Sequence, residues 1–192
     1  MVIEIKGNWK TGFALDLHTK SSTYLGSDEL GHDQFDTVRT EIGELVYSLK
    51  YKKDNSVVFK IVETICNEFK NLSRVDYIIP IPPSKKRDFQ PVNIVADALG
   101  LAISVPVLKT EVLKVKATPQ LKDISDLGMR EDILRNAFSL AGKTNIENKN
   151  ILLIDDLYRS GATLRAITSI LYDSGNVKNV YALTLTKTRS SQ

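Results

Sequence analysis

Two adjacent carboxylates, Asp155 and Asp156, directly follow four apolar residues, Ile151, Leu152, Leu153 and Ile154, and precede Gly161 and Thr163. A short apolar run of this kind predicts a buried strand at 151–154, and residues 162–172 carry the pattern of a helix. The strand delivers both acids to its C-terminal edge, where open α/β sheets bind ligands. In the short loop that follows, the N–H groups of residues 159–163 and the positive end of the helix dipole favour a phosphate. Gly161 lets the backbone approach closely, Ser160 and Thr163 add hydroxyl donors, and Arg159 and Ala162 complete the candidate cradle. The carboxylates, one loop away, can accept hydrogen bonds from vicinal sugar hydroxyls. Acids and cradle together describe a site for a phosphorylated ribose. Taken one at a time, the same residues describe an ordinary strand-turn-helix with a solvated Asp pair, so the functional reading rests on their joint pattern.

The elements that must hold this loop alternate in type along the chain. Residues 75–83 form a short apolar run stopped by Pro80, Pro82 and Pro83, which predicts a buried strand ending in a rigid loop. Residues 92–99 read as helix, 104–108 as strand, and 179–185 as a final strand, an alternation that predicts a parallel sheet. Upstream, Val38, Ile42, Leu45, Val46 and Leu49 recur at three and four residues and predict a helix starting at Asp36, with Lys50, Lys52 and Lys53 at its negative end. A second helix is expected over 56–70, with Val58, Ile61, Val62, Ile65 and Phe69 on one face. The first thirty or so residues, with Gly7, Gly12, Gly26 and Gly31, read as strands and turns. Residues 109–128 are polar and weakly periodic, with four lysines and Pro119, and read as a long loop.

Bulk properties narrow the class. With 192 residues, 42% apolar and 26% charged, the chain suits one compact globular unit. A net charge of +3 is too small to indicate a nucleic-acid partner by itself. A single cysteine, Cys66, excludes an internal disulfide framework and a cysteine-rich zinc module, and two histidines, His18 and His32, are too few for a typical metal cluster. Neither a signal-peptide core nor a membrane-length apolar run occurs, so a cytoplasmic location without membrane attachment is expected.

Four apolar residues, two Asp, four intervening residues, Gly, any residue and Thr form a pattern that resembles the signature for phosphoribosyl pyrophosphate (PRPP) in type I phosphoribosyltransferases. The chain departs from it at Tyr158, usually aliphatic, and at Arg159, usually small or hydroxylated. Arg159 could strengthen phosphate binding or obstruct the pocket. A second stretch, from Pro80 through Lys85, Lys86, Arg87, Asp88 and Phe89 to Gln90, resembles the proline-rich turn and Arg-Gly-Phe-Asn element of the ComF-like branch, with Asp88 and Gln90 in place of Gly and Asn. Ala117 to Leu121, Met129, Arg130, Ala137 and Phe138 are similar to that branch's lid segment and following strand. The likeness covers about residues 75–186.

What the resemblance implies is an α/β fold, a twisted, mostly parallel sheet flanked by helices with a small N-terminal hood. Residues 1–55 would be the cap and 56–192 the core. It implies PRPP, or a nucleotide containing ribose 5-phosphate, as ligand. Mg²⁺ would bind alongside, held by Asp155 and Asp156 indirectly, through water or ribose hydroxyls. Ser84, Lys85, Lys86 and Arg87 would meet the pyrophosphate, although three basic residues after a strand also make a plain solvated turn. Full-length ComF-like proteins often begin with a zinc module; residues 1–50 lack its cysteines. His18, Asp16, Trp9 and Phe13 could line a base pocket or simply pack.

The reaction implied is attack of a nitrogen nucleophile on the anomeric carbon as pyrophosphate leaves, with Asp155 and Asp156 as the catalytic pair and the acceptor unidentified. Three alternatives stand beside it. One is a PRPP or nucleotide sensor without chemistry. Another is a nucleic-acid accessory role, in which Lys109, Lys114, Lys116 and Lys122 contact phosphates. The third is hydrolysis of a nucleotide. A homodimer is plausible from the fold.

Overall fold

The computed structural model describes residues 2–70, 72–83, 89–116, 133–134 and 136–189. Its centre is a five-stranded sheet made of β1 (Ile3–Glu4), β2 (Thr11–Leu17), β5 (Tyr77–Pro80), β8 (Asn150–Tyr158) and β9 (Asn179–Lys187), in the order β1-β2-β9-β8-β5. Four of these run parallel; β1 pairs antiparallel with β2 at the edge. Two small antiparallel pairs stand outside the sheet: β3 (Thr19–Ser27) with β4 (Asp33–Arg39), and β6 (Val112–Lys114) with β7 (Phe138–Leu140).

The continuous apolar run in β8 follows from burial on both faces. Ile151 and Leu153 point into one core with Ile79, Val180, Ala182 and the apolar stripe of α4 (Ala162–Asp173), including Leu164, Ile167 and Leu171. Leu152 and Ile154 point into a second core with Leu183 and Leu185, facing α1 (Glu41–Tyr47), α2 (Val58–Glu68) and α3 (Pro91–Ile103). Each fully buried aliphatic side chain contributes roughly 1.5–3 kcal/mol, so this central strand is anchored from both sides.

The chain departs from the sequence-based expectations at several boundaries. Residues 36–39 belong to β4, which pairs with β3, and Val38 is exposed on that hairpin. The helix starts at Glu41 because Thr40 caps it, its Oγ1 accepting from Gly43 N at 3.0 Å and donating to Leu17 O at 2.6 Å. The stripe of Ile42, Val46 and Leu49 then continues through a turn of π-helix, Ser48–Lys52, ending at Lys53 in the left-handed region. Residues 104–108 do not form a full strand. Instead α3 extends to Ile103 and closes on Ser104, while Ile78 N donates to Pro106 O and Leu108 N to Ile78 O, a single bridge beside β5. Within 109–128, Val112–Lys114 is a strand rather than loop, and 117–128 lie outside the described residues.

Residues 1–55, expected as a cap, divide between two places. β1 and β2 join the central sheet, β2 lying parallel to β9, whereas β3 and β4 form the separate hairpin. No described helix is long and apolar enough to cross a membrane.

Candidate functional site

β8 runs four residues beyond the apolar run because β9 continues beside it: Asp155 pairs with Thr184, Leu157 with Thr186 and Tyr158 with Lys187. Both acids therefore lie inside the strand, held by its ladder, rather than after it as the sequence suggested. Side chains alternate along a strand, so Asp155 follows Ile151 and Leu153 toward the α4 face, and Asp156 follows Leu152 and Ile154 toward α1.

That alternation separates two neighbouring carboxylates into different environments. Lys50, on the π-helical turn after α1, places Nζ 2.5 Å from Asp156 Oδ2, with both side chains largely covered. What holds Lys50 there is the close approach of α1 to the end of β2. A Cβ built on Gly43 would come within 2.1 Å of His18 O, so only glycine admits this packing. Asp155 instead accepts from Asp156 N at 2.8 Å. Dehydration, and then the charge of Asp156 beside it, push the Asp155 carboxyl up to about 7; Lys50 opposes that rise. One member of the pair thus binds its proton near neutrality while the other is matched to a cation.

Further positive charge gathers on the same side. The Arg39 guanidinium lies 3.8 Å over the Tyr47 ring and 3.6 Å from Glu44. His18 Nδ1 is 3.2 Å from Thr186 Oγ1, which donates to Asp156 O at 3.0 Å. Burial, and then the charges of Arg39 and Lys50, hold the His18 imidazole below its ordinary pKa, against the pull of Asp156.

The loop from Arg159 to Gly161 turns β8 into α4. Gly161 is the residue before the helix, at φ 73°, a left-handed conformation that suits glycine. Its α-carbon also faces the Tyr158 ring, since a Cβ there would lie 2.6 Å from Tyr158 Cε2. Tyr158 in turn donates to Lys6 O at 3.3 Å and meets Trp9 edge-on at 6.4 Å, tying residues 6–9 to the loop. Asn8 completes the tie by donating to Arg165 O and Ser169 Oγ on α4. The first N–H groups of α4 have no partner within the helix. Ala162 N lies 3.4 Å from Ser160 Oγ, while Arg159 and Ser160 are exposed and Thr163 is half-buried.

The structure thus brings together Asp155, Asp156, Arg159, Ser160, Gly161, Ala162 and Thr163 at the C-terminal end of β8. Ser84, Lys85, Lys86 and Arg87 lie outside the described residues, as do Met129, Arg130 and the segment from Ala117 to Leu121. Of the four N-terminal candidates, Trp9 is buried and donates to Ile5 O, and Phe13 packs on Phe69, so both are packing residues. Asp16 Oδ1 accepts from Leu17 N, and His18 joins the acids through Thr186. Lys109 is paired with Asp97 at 3.0 Å. Lys50 and Arg39 escaped sequence reading. Lys50 had a sufficient role as a helix-end cation, and nothing local connects it to a carboxylate 106 residues away.

Among the described residues, no group of three or more His, Cys, Asp and Glu is placed to hold a metal ion. Asp155 and Asp156 point to opposite faces of β8 and do not form a joint chelate; Mg²⁺ commonly keeps its waters and is bound together with substrate phosphates, so these carboxylates suit it only through water or ribose hydroxyls.

No protein-family model matches the chain. It is 30% identical over 103 residues to Competence protein F of Haemophilus influenzae, covering 51% of this chain and 44% of that protein. It is 29% identical over 112 residues to Competence protein ComFC of Bacillus subtilis, covering 56% and 43% respectively. The chain therefore spans under half the length of either relative. Among solved structures, adenine phosphoribosyltransferase of Saccharomyces cerevisiae, complexed with an imino-altritol bisphosphate and adenine, superposes with a TM-score of 0.51. That match has 11% identity and covers 86% of this chain and 84% of the other. The likeness is one of fold.

Proposed function

We propose that this chain, a ComF-like protein with the type I phosphoribosyltransferase fold, binds PRPP and transfers its ribose 5-phosphate group to a nitrogen acceptor. The observation that carries the reading is the end of β8, where two carboxylates of unlike environment adjoin a glycine-pinned loop opening a helix. In this reading the 5-phosphate sits on the N–H groups and hydroxyls of residues 159–163, and the ribose hydroxyls donate to Asp155 and Asp156. Ser84, Lys85, Lys86 and Arg87, following β5, receive the pyrophosphate. The acceptor nitrogen forms a bond to the anomeric carbon, the bond from that carbon to the pyrophosphate oxygen breaks with its electron pair leaving on pyrophosphate, and the nitrogen's proton passes to solvent. The carboxylates favour the positive charge that grows on the sugar.

Mg²⁺, held with PRPP by Asp155 and Asp156 through water or ribose hydroxyls, would supply charge neutralisation for the leaving group. Such a reaction suits a cytoplasmic protein. The test is pyrophosphate release from Mg²⁺·PRPP across a panel of nitrogen acceptors. Release by the wild type and its loss in the Asp155→Asn, Asp156→Asn double variant are expected; release unchanged in the variant contradicts the proposal.

A second reading, a PRPP or nucleotide sensor, draws support from the Lys50 ion pair, which already occupies Asp156. It predicts saturable binding of PRPP with no pyrophosphate released by any acceptor.

A further inference from the structure

The cations around α1 outnumber the carboxylates that their side chains contact. Lys50 is matched to Asp156, while Arg39 and Lys52 share the half-exposed Glu44 at 3.6 and 3.5 Å. Arg39 Nε is buried and has no acceptor, although a buried N–H of a guanidinium normally finds one. The guanidinium is held against Tyr47, so its orientation is fixed before any ligand arrives. Once ribose hydroxyls take up Asp156, Lys50 too faces a weakened partner.

The position of this cationic face in the sheet identifies what it meets. β5, which leads to the basic segment assigned to pyrophosphate, flanks β8 on one side; β9 and then β2 flank it on the other. His18 follows β2, and Arg39 and Lys50 bracket α1, so the cationic face lies across β8 from the β5 side. A nucleophile displacing pyrophosphate enters opposite the leaving group. We propose that the face formed by Arg39 and Lys50 receives the acceptor and that this acceptor is anionic, carrying a carboxylate or comparably acidic group beside its reacting nitrogen. This inference rests on the transfer reaction proposed above and names its substrate class. The acid group accepts from the partly exposed Arg39 guanidinium and lies near Lys50 Nζ, which turns the reacting nitrogen toward the sugar.

The test uses the full chain saturated with Mg²⁺·PRPP and titrated calorimetrically with two matched pairs, nicotinate against nicotinamide and orotate against uracil, whose members differ chiefly by the carboxylate. The carboxylate member of at least one pair is expected to bind about tenfold more tightly, the scale of one charge-assisted hydrogen bond. In Arg39→Met, whose flexible stem still covers Tyr47, that preference is expected to fall within about threefold; in Arg39→Lys, which keeps the charge, most of it is retained. Absence of preference in the wild type, including absence of binding by all four compounds, overturns the inference. It is equally overturned if Arg39→Met weakens PRPP and leaves the carboxylate preference intact, which assigns the cations to pyrophosphate. Failure of PRPP itself to bind defeats the underlying reaction instead; the pairs are then compared without PRPP, where the same preference is still expected and its absence again overturns the inference.

Discussion

The two carboxylates at the end of β8 differ because strand alternation sends one toward Lys50 and leaves the other dehydrated beside a negative neighbour. The direction of the Asp155 shift sets a stability test. Its pKa is about 7 folded against 3.8 for the free group, so between these values the folded state holds a proton that the unfolded state has lost. The stabilisation this proton provides is complete below pH 3.8 and is lost as the pH rises to about 7. Asp155→Asn cannot ionise and keeps the hydrogen bond from Asp156 N. Its stability relative to wild type is therefore expected to rise between pH 4.5 and 8, by at most about 3 kcal/mol, read from urea midpoints at the two pH values. A difference that stays constant with pH contradicts the shift. Gly161→Ala is a second test at this scale. Left-handed φ costs an alanine roughly 1–2 kcal/mol and its methyl group meets the Tyr158 ring, so both stability and affinity for Mg²⁺·PRPP are expected to fall, as measured by denaturation and calorimetry.

At the scale of elements, the strand-loop-helix unit of β8 and α4 is the part most visible in the sequence. Its apolar residues have one environment on each face, and Gly161 marks the turn. The predicted helix over 162–172 differs from α4 by a single residue. The strand was read too short because Asp155 and Asp156 are poor strand formers, and only pairing with β9 keeps them in the ladder. The start of α1 was misplaced for a related reason. Val38 fits a helical stripe, but its partner is Ser21 across the β3–β4 hairpin, a tertiary preference with no local signature. The central strand provides the stability test for this scale. Leu153 is fully buried, and Leu153→Ala is expected to cost about 2–5 kcal/mol, whereas Thr40→Ala, removing the cap that fixes α1 against Leu17, costs about 1 kcal/mol. Chemical denaturation of both variants checks the order; a Thr40 variant as unstable as the Leu153 variant contradicts it.

For the whole molecule, the path of the chain explains what sequence reading could not reach. β2, far from β8 and β9 in sequence, lies parallel to β9 and carries His18 to the same edge as Asp156. Arg39 and Lys50 arrive there through α1, so the cationic half of the site is assembled by topology, while the carboxylate and loop half is one contiguous stretch and was legible as a motif. Removing residues 1–17 would strip β1 and β2 from the sheet, so the remainder is expected to lose its cooperative urea transition; retention of the full transition would show that the core stands without them. The central claim, that the end of β8 is a PRPP site, is tested most directly by calorimetric titration of Mg²⁺·PRPP into the wild type and into the Asp155→Asn, Asp156→Asn double variant. Saturable one-site binding to the folded wild type and its loss in an equally folded variant is the predicted result. No binding to the wild type, or the same affinity in both proteins, would contradict it.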